Sequence, residues 1–188
     1  IFMLYLESLN KSLHDILDMD KNVILIGEDL LDPYGGAFKV AKGLSTKFPK
    51  QVISTPISEA AIVGSAVGMA LRGLKPIVEI MFGDFITLAT DQIVNHASKY
   101  NWMYNNKVNV PILIRMPVGG GRGYGPTHSQ SLESMFMSIS GIEIVSASIF
   151  HNPGEMLKKI MSTIEKPTIF LEYKLDYSKA IIQKKIGD

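Results

Sequence analysis

The sequence contains no cysteine, which excludes disulfides and thiolate metal sites outright. It has almost no net charge: 19 Lys and Arg against 18 Asp and Glu leave +1. There is therefore no general electrostatic case for binding nucleic acid or an anionic membrane. No apolar run approaches the roughly 20 residues that a bilayer-spanning helix needs. The first segment, Ile1 to Asp20, lacks the basic start and small-residue cleavage site of a signal peptide, so a cytoplasmic protein is expected. No internal repeat or low-complexity linker is present. What is there is globular in character: 46% hydrophobic and 20% charged residues over 188 positions, enough for one domain with a closed core. Lysines gather toward the C-terminus (Lys174, Lys179, Lys184, Lys185) and read as a solvated tail.

Apolar periodicity organises the rest. Leu4, Leu6, Leu9, Leu13, Ile16 and Leu17 predict an amphipathic helix ending near Asp20. Short continuous apolar runs predict buried strands at Val23–Ile26, Val52–Thr55, Pro76–Ile80, Pro111–Met116, Ile142–Val145 and Thr168–Leu171. Between them, helices are predicted over Lys39–Phe48, Glu59–Leu71, Phe85–Tyr104, Ser131–Ser138 and Pro153–Ile164. Ser58 supplies an N-cap for the second of these and Gly73 ends it. Strands alternating with helices give an α/β domain, a parallel sheet flanked by helices on both faces. After Leu171 the pattern weakens, so the domain is expected to span 1–175, with 176–188 starting a linker.

In such sheets ligands bind beyond the carboxyl ends of the strands. Glu28 and Asp29, Glu59, Met81 to Phe85 and the loop Gly119 to His128 all fall there. Glu59 opens its helix, where a carboxylate either compensates the helix dipole or serves a site; Ala61 stands where a capping box needs an acid or amide. The loop Gly119-Gly120-Gly121-Arg122-Gly123-Tyr124-Gly125 lacks the Gly-Lys-Ser/Thr ending of a P-loop, and reads as a turn or as a ligand-facing loop. His128 follows in a polar stretch, available as acid, base or charge stabiliser, or bonded to backbone. Met81 and Phe85 are core residues or a flat apolar surface for an aromatic ring. His14, His96 and His151 show no metal-ligand spacing, and no metal site is expected from this chain.

Taken in order, Gly27-Glu28-Asp29, Tyr34-Gly35-Gly36 with Phe38-Lys39-Val40, Thr55-Pro56-Ile57-Ser58-Glu59-Ala60, Glu79-Ile80 with Phe82 and Asp84-Phe85, Asp91-Gln92-Ile93-Val94-Asn95, and Gly125-Pro126 with His128-Ser129-Gln130-Ser131 resemble the beta subunit of pyruvate, branched-chain 2-oxo-acid and acetoin dehydrogenases, over nearly all of the chain. The resemblance implies the pyrimidine-binding domain of a transketolase-like fold, with thiamine diphosphate held between an alpha and a beta subunit. It implies that Glu59 hydrogen-bonds a ring nitrogen of the aminopyrimidine and thereby activates the cofactor for decarboxylation of a 2-oxo acid. Met81 and Phe85 would line the aminopyrimidine site. His128 would stand near the thiazolium and substrate and serve acyl transfer to a lipoyl group, and Glu28 would lie deeper, in an acidic passage between paired cofactors.

The family's Gly-Asp-Gly motif for diphosphate and Mg²⁺ is absent: Gly83-Asp84 continues into Phe85, and Gly187-Asp188 is terminal. The resemblance thus implies an alpha partner carrying Mg²⁺, a second beta subunit in a heterotetramer, and a lipoyl acyltransferase component. Potassium, which some relatives bind through backbone carbonyls, leaves no side-chain signature and stays open. The resemblance further implies a C-terminal domain not contained in this sequence, and a mitochondrial or plastid location should the source be eukaryotic. Arg122 and Tyr124, where small residues are more usual, Thr127, where an aromatic is common, and Phe150-His151-Asn152-Pro153-Gly154 depart from the pyruvate enzymes. Two alternatives follow: a thiamine-diphosphate decarboxylase or ketol transferase without a lipoyl acceptor, and a non-catalytic assembly domain.

Overall fold

A computed structural model describes residues 3–182; Lys184 and Lys185 of the expected tail, and Gly187-Asp188, lie outside the described residues. The apolar runs form six strands: β1 (Val23–Glu28), β2 (Val52–Thr55), β3 (Lys75–Glu79), β4 (Leu113–Val118), β5 (Glu143–Ala147) and β6 (Thr168–Tyr173). They make one sheet, all parallel, in the order β2-β1-β3-β4-β6-β5. Every residue of β1 and β4 is buried, as expected for central strands covered on both faces.

Each face has its own core. On one side α1 (Tyr5–Met19) buries Tyr5, Leu9, Leu13, Ile16 and Leu17, and packs with α5 (Pro153–Thr163) over Leu25, Leu113 and Phe170. On the other side α3 (Glu59–Leu71) places Ile62, Val63, Ala66 and Val67 against Val78, Ile80, Ile86 and Ile93. The bounds of α3 follow its sequence signals. Ser58 Oγ accepts from the Ala61 N–H at 3.4 Å, and beyond Leu71 the Leu74 N–H returns to the Met69 carbonyl at 3.1 Å.

Three predicted helices come out differently. The long helix over Phe85–Tyr104 is three pieces: a 3-10 segment Gly83–Ala89, a π segment Gln92–Ala97 and α4 (Tyr100–Met103). Hydroxyl side chains compete for its carbonyls: Thr87 and Thr90 donate back to the Asp84 and Thr87 carbonyls at 3.0 and 2.8 Å. The Ser98 N–H reaches Ile93, five residues back, at 3.0 Å. The helix over Lys39–Phe48 is reduced to α2 (Leu44–Lys47), because Lys39 and Gly43 take left-handed backbone at φ 63° and 83°. Over Ser131–Ser138 only a 3-10 turn, Glu133–Met135, forms.

Past β6 the chain turns back. Tyr177 is buried in the α1-side core, and Ala180 bridges Leu4 in antiparallel fashion. Among the described residues no helix is long and apolar enough to cross a membrane.

Candidate functional site

The carboxyl ends of β1, β3, β4 and β6 and the start of α3 carry the residues singled out by sequence. Glu28 ends β1, in register with Thr55 at the end of β2; four residues later Glu59 opens α3. Glu28 and Glu59 are both buried, at 5% and 3% exposure. Burial pushes the Glu28 carboxyl up to about 7, helped by the charges of Glu59 and Asp29 and by a hydrogen bond with Glu59. Among the described residues Glu28 Oε1 is buried and accepts no hydrogen bond. Glu28 is thus the carboxyl here that burial and its neighbours push toward neutral pH, and its Oε1 is left without a donor among the described residues.

The segment after β3 makes the second group. Met81 and Phe85 are half-buried, and α3 packs on the 83–89 segment that carries Phe85. The His128 ring stands edge-on to Phe82 and Phe85, with centroids 4.7 and 5.2 Å away. Phe82 also meets Phe38 and Tyr124 at 5.4 and 5.6 Å, and the Arg122 guanidinium lies over the rings of Phe38 and Tyr124. A cleft of about 460 Å³ adjoins this cluster, lined by Phe38, Arg122, Tyr124 and Tyr177 among others. The structure thus brings together Glu28 with Glu59, and Phe85 with His128. Among the described residues no hydrogen bond joins the two groups, and none of the ring contacts of Phe82, Phe85 or His128 reaches either glutamate. Another cleft, of about 830 Å³, lies at the opposite edge, between α1 and α5. Two of its lysines, Lys75 and Lys158, are paired with Asp20, Asp15 and Glu155.

Three buried features escape the sequence reading. Arg115 of β4 is 1% exposed and bridges Glu79 of β3 and Glu172 of β6; Glu172 accepts from Nε at 2.7 Å and Nη2 at 2.5 Å, and from the Tyr177 hydroxyl at 2.8 Å. The signal was a charge among the apolar residues of each of three strands. Asp84, at 5% exposure, accepts from the Gln130 N–H and side-chain amide at 3.1 and 2.9 Å. Lys174 corrects the reading of the C-terminal lysines as solvated. It is 1% exposed and donates to the His128 carbonyl at 2.9 Å. Its burial comes from the glycine loop folding over it, which no local pattern announces. Burial lowers its pKa, with the charge of Asp84 opposing and that of Arg122 reinforcing. Lys179, by contrast, is an exposed partner of Asp176.

Among the described residues no group of three or more His, Asp or Glu is placed to hold a metal ion. Residues 3–179 match the family described as "Transketolase, pyrimidine binding domain". Pyruvate dehydrogenase E1 component subunit beta-2, chloroplastic, of Arabidopsis thaliana is 38% identical over 99% of this chain and 45% of its own length. The 2-oxoisovalerate dehydrogenase subunit beta of Pseudomonas aeruginosa is 37% identical over 94% and 50%. The chain thus spans about half the length of these relatives. A solved structure titled "Split gene transketolase, inactive beta4 tetramer" superposes with a TM-score of 0.69 over 91% of this chain and 51% of the other, at 17% identity, a likeness of fold. With the match extending through α1, all six strands and the turn that follows them, the chain belongs to the transketolase pyrimidine-binding-domain family.

Proposed function

We propose that this chain is the cofactor-activating part of the beta subunit of a thiamine-diphosphate-dependent 2-oxo-acid dehydrogenase. The buried Glu28–Glu59 pair carries the proposal: two carboxyls side by side, Glu28 pushed up to about 7 by burial and by its neighbour, with Glu28 Oε1 accepting no hydrogen bond among the described residues. Its relatives at 37–38% identity are named as beta subunits of pyruvate and 2-oxoisovalerate dehydrogenases.

The residues fit one half of the cofactor. Glu59 offers a carboxyl to a ring nitrogen of the aminopyrimidine, and half-buried Met81 and Phe85 offer flat apolar contact to its faces. When bound, thiamine diphosphate supplies the carbanion chemistry that breaks the bond to the carboxylate; the chain supplies orientation and electrostatics. Glu28, pushed up to about 7, carries less than a full negative charge beside Glu59 near neutral pH, which favours a hydrogen bond between Glu59 and the ring. His128, half-buried against Phe82 and Phe85, holds or moves a proton during acyl transfer. The diphosphate and Mg²⁺ fall to an alpha partner. A second beta subunit and a lipoyl acyltransferase complete the assembly, in a bacterial cytoplasm or in a plastid or mitochondrion.

The test is turnover by the full-length chain co-purified with its natural partner, given thiamine diphosphate, Mg²⁺, an artificial electron acceptor, and pyruvate or branched-chain 2-oxo acids. Reduction of the acceptor with one acid class is expected. No turnover with the cofactor demonstrably bound would overturn the dehydrogenase and favour a ketol transferase without a lipoyl acceptor.

A further inference from the structure

Lys174 is buried, at 1% exposure, with no direct ion pair among the described residues, Asp84 being the anion whose charge acts on it. Its side chain makes one hydrogen bond among the described residues, to the His128 carbonyl at 2.9 Å. Its ammonium lies 5.4 Å from the centre of the Phe82 ring. An apolar side chain of similar volume would remove the cost of burying the charge, so stability alone does not account for a lysine here.

What the lysine does is visible in the loop above it. Its own carbonyl accepts from Arg122 Nη1 at 3.2 Å, and its Nζ donates to the His128 carbonyl, so one residue ties both ends of the stretch 122–128. The loop rests directly on the turn that holds Lys174. A Cβ at Gly119 would come within 3.2 Å of Tyr173, and one at Gly121 within 3.0 Å of Leu175, both at positive φ. From the other side Asp84 grips Gln130 through two hydrogen bonds. The imidazole of His128 is thereby set edge-on to Phe82 and Phe85 by groups at the ends of β3 and β6, rather than by its own glycine-rich loop.

We propose that Lys174 is a positioning residue for His128: it closes the 122–128 loop from beneath and fixes the imidazole for the step in which His128 acts, without itself touching substrate or cofactor. The proposal rests on the function proposed above for the role of His128, and its geometry can be tested apart from that role.

The experiment compares Lys174→Met with the wild type in the full-length chain assembled with its partner, thiamine diphosphate and Mg²⁺. Methionine is unbranched and close to lysine in volume, one atom shorter, and removes the donor. A misplaced catalytic group costs on the order of tenfold to a hundredfold in rate. Expected are a kcat about tenfold or more lower with little change in KM for the 2-oxo acid, unchanged hydrogen exchange at the thiazolium carbon, and a Tm equal to or above wild type. Carbethoxylation of His128 by diethyl pyrocarbonate, localised by mass spectrometry, should be faster. Arg122→Ala, a change in an exposed side chain that leaves the core intact, should speed carbethoxylation in the same direction.

Wild-type kcat in Lys174→Met would overturn the proposal, as would parallel losses of kcat, exchange and Tm, which mark a structural role. If the wild type lacks exchange and turnover, the proposed function fails on its own. The carbethoxylation rates then decide the loop closure, and equal rates in wild type and both variants overturn it.

Discussion

Replacing Arg115 by methionine strands two buried carboxylates. Arg115 sits in β4 directly opposite Glu79 of β3 and reaches Glu172 of β6 with a two-pronged contact. The residues are 1%, 6% and 0% exposed, so water cannot take over when the guanidinium is removed. Breaking a buried pair by deleting one partner costs about 3–5 kcal/mol, chiefly the burial of an uncompensated charge. For a chain of this size that is a fall in Tm of about 6–20 °C. A buried carboxyl without its cation takes up a proton instead, and burial already raises Glu79 against the opposing charge of Arg115. Its folded pKa then lies above the unfolded one, so the stability it contributes is present at low pH and lost as pH rises. The Arg115→Met deficit should therefore be larger at about pH 8 than at about pH 5. Adding Glu79→Gln and Glu172→Gln to Arg115→Met should recover most of the loss, since no charge is left unpaired. Urea unfolding followed by circular dichroism measures all three. A loss below about 1 kcal/mol, within the range of exposed pairs, or a deficit that does not depend on pH, would refute the reasoning.

Glu28→Gln tests the carboxyl pair. Wild-type Glu28 is raised to about 7 from 4.5, so its stabilising effect is complete below the unfolded value and is lost as pH climbs toward 7. The variant should be flatter over that window and gain stability at about pH 8; superimposable pH profiles would contradict the shift. Gly36→Ala should cost on the order of 1–3 kcal/mol, because Gly36 has φ +80° and its Cβ would meet Glu79 Oε1 at 2.5 Å; an unchanged urea midpoint would count against that packing. Ser58→Ala removes a long N-cap bond of 3.4 Å and should cost about 0.5 kcal/mol, the low end for caps, with a loss above about 2 kcal/mol pointing to a further role for Ser58.

What the sequence disclosed depended on how local each determinant was. The limits of α3 were legible because Ser58 and Gly73 flank it, and both signals act within one turn. Strand β1 runs two residues beyond its apolar core, since Gly27 and Glu28 still pair with Ser54 and Thr55; a partner strand decides that, not the segment itself. The break within 85–104 was hidden because Thr87, Thr90 and Ser98 suit a helix surface as well as they suit back-bonding to carbonyls. Glu59 and His128 could be singled out by position, but the raised pKa of Glu28 arises from two segments meeting in space. Lys174 shows the limit most sharply. Beside Lys179 it resembles a surface lysine, and only the glycine loop closing over Tyr173 and Leu175 buries it.

The most direct test of cofactor activation by Glu59 is hydrogen–deuterium exchange at the thiazolium carbon, followed by proton NMR of the cofactor quenched from the assembled protein. Glu59→Gln should retain the fold, since Glu59 takes part in no ion pair among the described residues. It should also bring exchange close to the rate of free thiamine diphosphate. Exchange near the wild-type rate in a folded, cofactor-loaded Glu59→Gln protein would contradict the assignment.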